Sequence, residues 1–140
     1  MCIRDSRCMQ KADAEGVIRT KLGRKCRFDE WEPRDWGLWT SENFENAVAK
    51  YGKDNIKRAK TYKALNRLIQ ASAADMTKKA MVDIYESGRL PLIQIHDEVA
   101  MSVKDKEEAE IISQIMTDAV PLEVPNKCDI EIGPSWGEAQ

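Results

Sequence analysis

Residues 55–87 form the longest periodic stretch in the chain, and they constrain its fold more than any other segment. Leu65, Leu68, Ile69, Ser72, Ala73, Met76, Ala80 and Ile84 recur at i, i+3, i+4 and i+7, the spacing that lines up one buried face of an α-helix. Small side chains at Ala71, Ser72, Ala73 and Ala74 allow close approach of another backbone, and Gly88 supplies a carboxy-terminal stop. Two β-rich runs follow, Leu92-Ile93-Gln94-Ile95 and Val99-Ala100-Met101-Ser102-Val103, separated by His96-Asp97-Glu98. Apolar runs around a polar centre predict a β-hairpin with the polar residues at its tip. A second helix is predicted over 106–119, with Ala109, Ile112, Ile115, Met116 and Ala119 inward. Pro121 and Pro125 bound a connection to a final strand at 128–132 that ends at Gly133. The fold class is therefore α+β. A small antiparallel sheet, the hairpin plus the carboxy-terminal strand, packs against the long helix and the second helix.

The amino-terminal half is less regular. Residues 7–15 read as a short helix ended by Gly16, and Val17-Ile18-Arg19-Thr20 pairs through a Leu22-Gly23-Arg24 turn with Lys25-Cys26-Arg27-Phe28 as a small basic hairpin. Residues 29–40 read as a loop carrying Trp31, Trp36 and Trp39, broken by Pro33 and Gly37; such tryptophans pack a loop onto a domain or stack on bases. Thr40 or Ser41 can cap a helix that runs to Tyr51 and stops at Gly52. Met1-Cys2-Ile3-Arg4-Asp5-Ser6 shows neither periodicity nor a cap and resembles a translated sequencing-library adapter. The division expected is a non-native scar at 1–6, a hairpin, loop and basic connector at 7–59, and a second part at 60–140.

Composition excludes several classes. With 42% hydrophobic and 33% charged residues in 140, the chain reads as globular rather than disordered. No apolar run approaches the ~20 residues that cross a bilayer, so no membrane partner is expected. The four cysteines have no C-x-x-C spacing, and His96 is the sole histidine, which argues against a zinc site and for a reducing compartment. Net charge is −2, but residues 1–70 hold 16 Lys/Arg against 10 Asp/Glu while residues 71–140 hold 6 against 14. That division suits a polyanion on one side and a cation on the other, or two ordinary solvated surfaces.

Two groups of residues carry chemistry. A hairpin tip relieves the cost of placing Asp97 and Glu98 between apolar strands and presents both carboxylates to a ligand. Hard oxygen donors suit Mg²⁺, which takes one or two protein carboxylates together with substrate phosphates. A D-E pair at a solvated turn is the plain alternative. On the long helix, Asn66 and Gln70 lie four apart beside the apolar stripe, with Lys63 and Arg67 close to them. Residues 50–67 hold seven Lys/Arg and one acid, Asp54, a composition suited to phosphates. The amides can donate to minor-groove acceptors, which lie at nearly the same place for every base pair. They thus test pair geometry without reading sequence. A solvated flank with its amides in water is the alternative.

Leu65-Asn66-Arg67-Leu68-Ile69-Gln70-Ala71-Ser72-Ala73-Ala74-Asp75, followed after a helix by Gln94-Ile95-His96-Asp97-Glu98-Val99, resembles the last third of family A DNA polymerases. Gly16-Val17-Ile18-Arg19-Thr20-Lys21-Leu22-Gly23-Arg24 resembles the family's segment between fingers and palm, and Ile132-Gly133 with Trp136 its carboxy terminus. The Lys63-Ala64-Leu65-Asn66-Arg67 version is the more phage-like. The resemblance implies part of a polymerase palm and a DNA-directed DNA polymerase that uses two Mg²⁺ ions, a DNA template–primer and dNTPs in the cytoplasm of a bacterial or phage-infected cell. A processivity factor is left open. Asp97 matches the family's second metal-binding aspartate and Glu98 the adjacent supporting acid. His96 would lie near the primer terminus, Asn66 and Gln70 match amides that contact the template–primer, and Arg24 matches an arginine near the duplex.

The chain also departs from the family pattern. Ala71 stands where glycine is usual, and Tyr62 where bacterial members often have an arginine that contacts the duplex, for which Lys60 or Lys63 is a substitute. The D-x-S-x-x-E-x-R block with the first metal-binding aspartate does not occur, nor does the R-x-x-x-K-x-x-x-x-x-x-Y fingers helix. Nor does an exonuclease domain occur within these 140 residues, and one upstream is left open. The resemblance thus predicts that this chain alone lacks polymerase activity. The competing readings are a non-catalytic nucleic-acid-binding module and a metal-dependent hydrolase built on His96, Asp97 and Glu98, the latter short of ligands.

Overall fold

The computed structural model describes residues 3–35 and 40–139. It contains two compact units, Met1–Ser72 and Ala73–Gln140, that divide within the long helix. The α+β class holds, with antiparallel pairing throughout the described residues, but as three two-stranded ladders rather than one small sheet.

In the first unit, helix α1 (Ile3–Glu15) starts earlier than the predicted residue 7. It ends where Gly16, at φ +69°, turns its N–H back to the Ala12 carbonyl at 2.9 Å. Strands β1 (Val17–Arg19) and β2 (Lys25–Arg27) form the expected basic hairpin, with Ile18 opposite Cys26. The Thr20 hydroxyl accepts from the Arg24 N–H at 3.1 Å and closes the loop. Alternation turns Ile18 inward, onto a core of Ala12, Phe28 and Ala64 that Cys8, Cys26 and Leu68 flank.

Residues 29–35 differ from the predicted loop. Trp31–Pro33 is strand β3, paired with β4 (Ile56–Arg58) in the register Trp31 to Arg58, Glu32 to Lys57 and Pro33 to Ile56. A partner some 25 positions away leaves no local signal. Trp31 packs edge-on to Phe44, with centroids 5.0 Å apart, and lies under the Arg58 guanidinium at 4.7 Å, so it packs its segment down. Trp36, Gly37 and Trp39 lie outside the described residues. Helix α2 (Phe44–Tyr51) is capped by Asn43, whose Oδ1 accepts from the Asn46 N–H at 2.9 Å; neither Thr40 nor Ser41 is the cap. Ser41 instead donates to Glu30 at 2.8 Å.

The long helix α3 spans Ala64–Glu86, not 55–87. Residues 56–58 are drawn into β4, and Lys60, at φ 60°, breaks the helical path before a short 3₁₀ turn at Thr61–Lys63. Ala80 and Ile84 are buried as the periodicity predicted, whereas Ile69 and Ala73 are exposed.

In the second unit, β5 (Ile93–Ile95) and β6 (Glu98–Ala100) form the predicted hairpin, though the second strand ends at Ala100 rather than Val103. Helix α4 (Lys106–Asp118) buries Ala109 and Ile112. Asp105 caps it by accepting from the Glu108 N–H at 2.8 Å, and Glu108 accepts in turn from the Lys104 N–H at 2.8 Å. The strand predicted at 128–132 does not form: among the described residues the segment has no ladder partner, and a strand needs one. It is tied to α4 instead, through the Ser113 hydroxyl, which donates to the Cys128 carbonyl at 3.1 Å. Gly133 lies against the backbone of Glu138, about where a Cβ would stand 2.5 Å from its carbonyl.

A methyl group at Gly16 would stand 2.5 Å from the Arg58 guanidinium carbon, at a positive φ. Gly16→Ala is therefore expected to lower stability by about 1–3 kcal/mol, read by urea denaturation. An unchanged midpoint would show that Arg58 moves aside freely. The Lys60 ammonium, and secondarily the Ser41 hydroxyl, hold the exposed Glu30 carboxyl below the ordinary carboxylate range. A lowered folded pKa gives stabilisation that is present at neutral pH and fades as pH falls through the folded value. Lys60→Ala should move the Glu30 titration upward in carboxyl-detected NMR, and no movement would refute the pairing.

Candidate functional site

Hairpin β5–β6 turns in two residues, His96 and Asp97, because Ile95 faces Glu98 directly. His96 takes φ 53°, at the position where a two-residue turn of this hand usually places glycine. A left-handed non-glycine residue costs about 1–2 kcal/mol, and such strain concentrates at functional sites. The Gln94 side chain donates to the His96 carbonyl at 2.8 Å and braces the turn. Asp97 lies at the tip as predicted. Glu98 does not: it is the first residue of β6. All three side chains are exposed, and the Asp97 carboxylate has no hydrogen-bond or ion-pair partner among the described residues. Nor do the described residues hold any group of three or more His, Cys, Asp or Glu able to enclose a metal.

The residues predicted to meet a polyanion lie in the first unit, and their surroundings differ. Asn66 and Gln70 are exposed one turn apart on α3, without hydrogen-bond partners among the described residues. Lys63 is exposed at the entrance to the helix, its ammonium 5.5 Å from the Tyr62 ring centroid. Arg24 is exposed at the end of the β1–β2 turn. Arg67 is directed inward: its guanidinium covers the Phe28 ring at 4.9 Å and donates to the Arg27 carbonyl at 3.2 Å.

Three of the seven cations in the run at 50–67 pair with acids from elsewhere in the chain. Lys50 pairs with Glu42 at 2.8 Å, Lys57 with Glu32 at 3.5 Å and Lys60 with Glu30 at 2.7 Å. Arg58 bonds the Asp13 carbonyl at 3.1 Å and the Phe28 carbonyl at 2.9 Å. The sole acid within the run is Asp54, because these partners come from residues 30–42. Lys60, one of the two substitutes expected for the arginine that Tyr62 replaces, is thus paired with Glu30 at the surface. Beside it lies a cleft of about 260 Å³ lined by Arg27, Asp29, Glu30, Lys60 and Arg67.

The profile of DNA polymerase family A matches residues 5–138, and the chain belongs to that family. It is 42% identical over 134 residues to a DNA-directed DNA polymerase of Pseudomonas phage M6, covering 94% of this chain and 17% of that protein. To DNA polymerase I of Bacillus subtilis (strain 168) it is 34% identical over 143 residues, covering 94% of this chain and 14% of the relative. The chain thus spans less than a fifth of the length of either. The polymerase domain of M. smegmatis Pol1, solved in complex with DNA primer-template and dNTP, superposes with a TM-score of 0.66 at 26% identity. That match covers 96% of this chain and 22% of the other. Polymerases of this family generally use divalent metal ions. No helix among the described residues is long and apolar enough to cross a membrane.

His96→Gly is expected to hold or raise stability in urea denaturation, and His96→Val to fall about 1–2 kcal/mol below the glycine variant. Equal midpoints for the two would remove the strain from the turn.

Proposed function

We propose that this chain is the carboxy-terminal palm portion of a DNA-directed DNA polymerase that carries out template-primed nucleotidyl transfer from dNTPs. One observation carries the reading: the Asp97 carboxylate stands at the exposed tip of a strained two-residue turn, unpartnered among the described residues. An unpaired acid held there is poised for a cation, and its hard oxygens fit Mg²⁺. Asp97 would be a ligand and Glu98, one position into β6, a supporting acid. His96 would face the primer terminus from the same turn. In a two-metal polymerase site the bound Mg²⁺ ions supply charge neutralisation at the triphosphate and activation of the attacking 3′-hydroxyl. The remaining ligands, including the aspartate of the absent D-x-S-x-x-E-x-R block, must come from outside these 140 residues.

The first unit supplies the duplex surface of the proposal. Asn66 and Gln70 donate to minor-groove acceptors, while Lys63 and Arg24 meet phosphates. Arg67 supports this surface from below by packing on Phe28, and its remaining N–H groups are available to phosphate. The partners are a DNA template–primer and dNTPs, and the setting is the cytoplasm of a bacterial or phage-infected cell. The want of a complete ligand set among the described residues favours one second reading, a nucleic-acid-binding module without catalysis.

In a full-length polymerase carrying this sequence, Asp97→Ala should abolish primer extension, a loss of at least about 10³-fold, with template–primer affinity largely intact. Retained extension would remove the metal role from Asp97. The purified 140-residue chain is expected to extend no primer, and extension by it would overturn the requirement for outside ligands.

A further inference from the structure

Ile69 occupies an unexpected place on α3. The periodicity puts it in the core, yet it is 56% exposed. It lies about 60° around the axis from Asn66 and directly precedes Gln70. The two amides are about 6 Å apart along the axis, close to two base-pair steps of about 3.4 Å each. The exposed Ile69 side chain therefore shares a flank with two exposed amides that have no partner among the described residues, with Lys63 in the turn just before the helix.

We infer that Ile69 is a sugar-selecting contact. It lies against the minor-groove wall beside the pairs that Asn66 and Gln70 touch, accepts the apolar face of deoxyribose and disfavours a 2′-hydroxyl. This rests on the template–primer reading of the same flank. The chemistry separates the two sugars there. An RNA strand displays its 2′-hydroxyls in the minor groove, and an aliphatic group that covers one removes its water without returning a hydrogen bond. A deoxyribose loses nothing on the same contact. The amides recognise base-edge acceptors common to both strand types, so they cannot make the distinction.

The test is fluorescence anisotropy of the 140-residue chain with two labelled blunt duplexes of one sequence, all-DNA and an RNA–DNA hybrid. The wild-type chain should bind the all-DNA duplex about tenfold more tightly, the effect of one covered and unpaired hydroxyl. Ile69→Ser, a change at an exposed position, should bring the two affinities within about threefold, and Ile69→Val should keep the preference. Equal wild-type affinities, or a preference that Ile69→Ser leaves intact while Asn66→Ala with Gln70→Ala weakens both duplexes, would overturn this inference and leave the duplex surface standing. No binding of either duplex would overturn both.

Discussion

A single guanidinium organises the first unit. Arg58 donates to the carbonyl of Asp13 near the end of α1 and to that of Phe28 just past β2, and it covers the ring of Trp31 in β3. Three segments distant in sequence are thereby joined at one planar, multiply donating group. The arrangement requires the chain to pass Gly16 without a side chain, at a φ that L-residues avoid. It also fixes β4, and with β4 the point at which the chain enters α3. The amide-bearing turn of that helix is thus positioned by contacts made well before it.

The local signals in the sequence proved durable. Gly16, Gly52 and Gly88 all stand at positive φ beside helix ends, and the two apolar runs around His96-Asp97 pair across a tight turn. What stayed illegible was non-local. Pairing of Trp31–Pro33 with Ile56–Arg58 depends on residues far apart in the chain, so a strand passed for a loop and a strand–turn–3₁₀ segment for the start of a helix. The cap at Asn43 was missed because Thr40 and Ser41 stand close by and are equally good candidates. At 128–132 the alternation is real, but alternation needs a neighbouring strand before it becomes a ladder.

The chemical residues divide in the same way. Asp97 could be placed because a polar pair between β-rich runs has few places to go other than a tip. That Glu98 falls into the strand depends on a register of one residue, which pattern alone does not resolve. The exposure of Ile69 could not be seen either, since it fits the apolar spacing of α3 as well as Leu68 does; only the packed unit shows which of the two faces inward. Arg67 was legible as a cation but not as the cover of an aromatic ring.

The acids that face Lys50, Lys57 and Lys60 have a consequence for how any polyanion would be held. A lysine in open solvent trades small counterions for a phosphate, and their release makes affinity fall steeply with ionic strength. A lysine already facing a carboxylate exchanges one fixed anion for another and releases far less. For a polyanion held on this run, the steepness would therefore be set by the cations left outside such pairs, Lys63 among them, rather than by all seven basic residues. Such a segment would be quieter toward salt than its composition suggests.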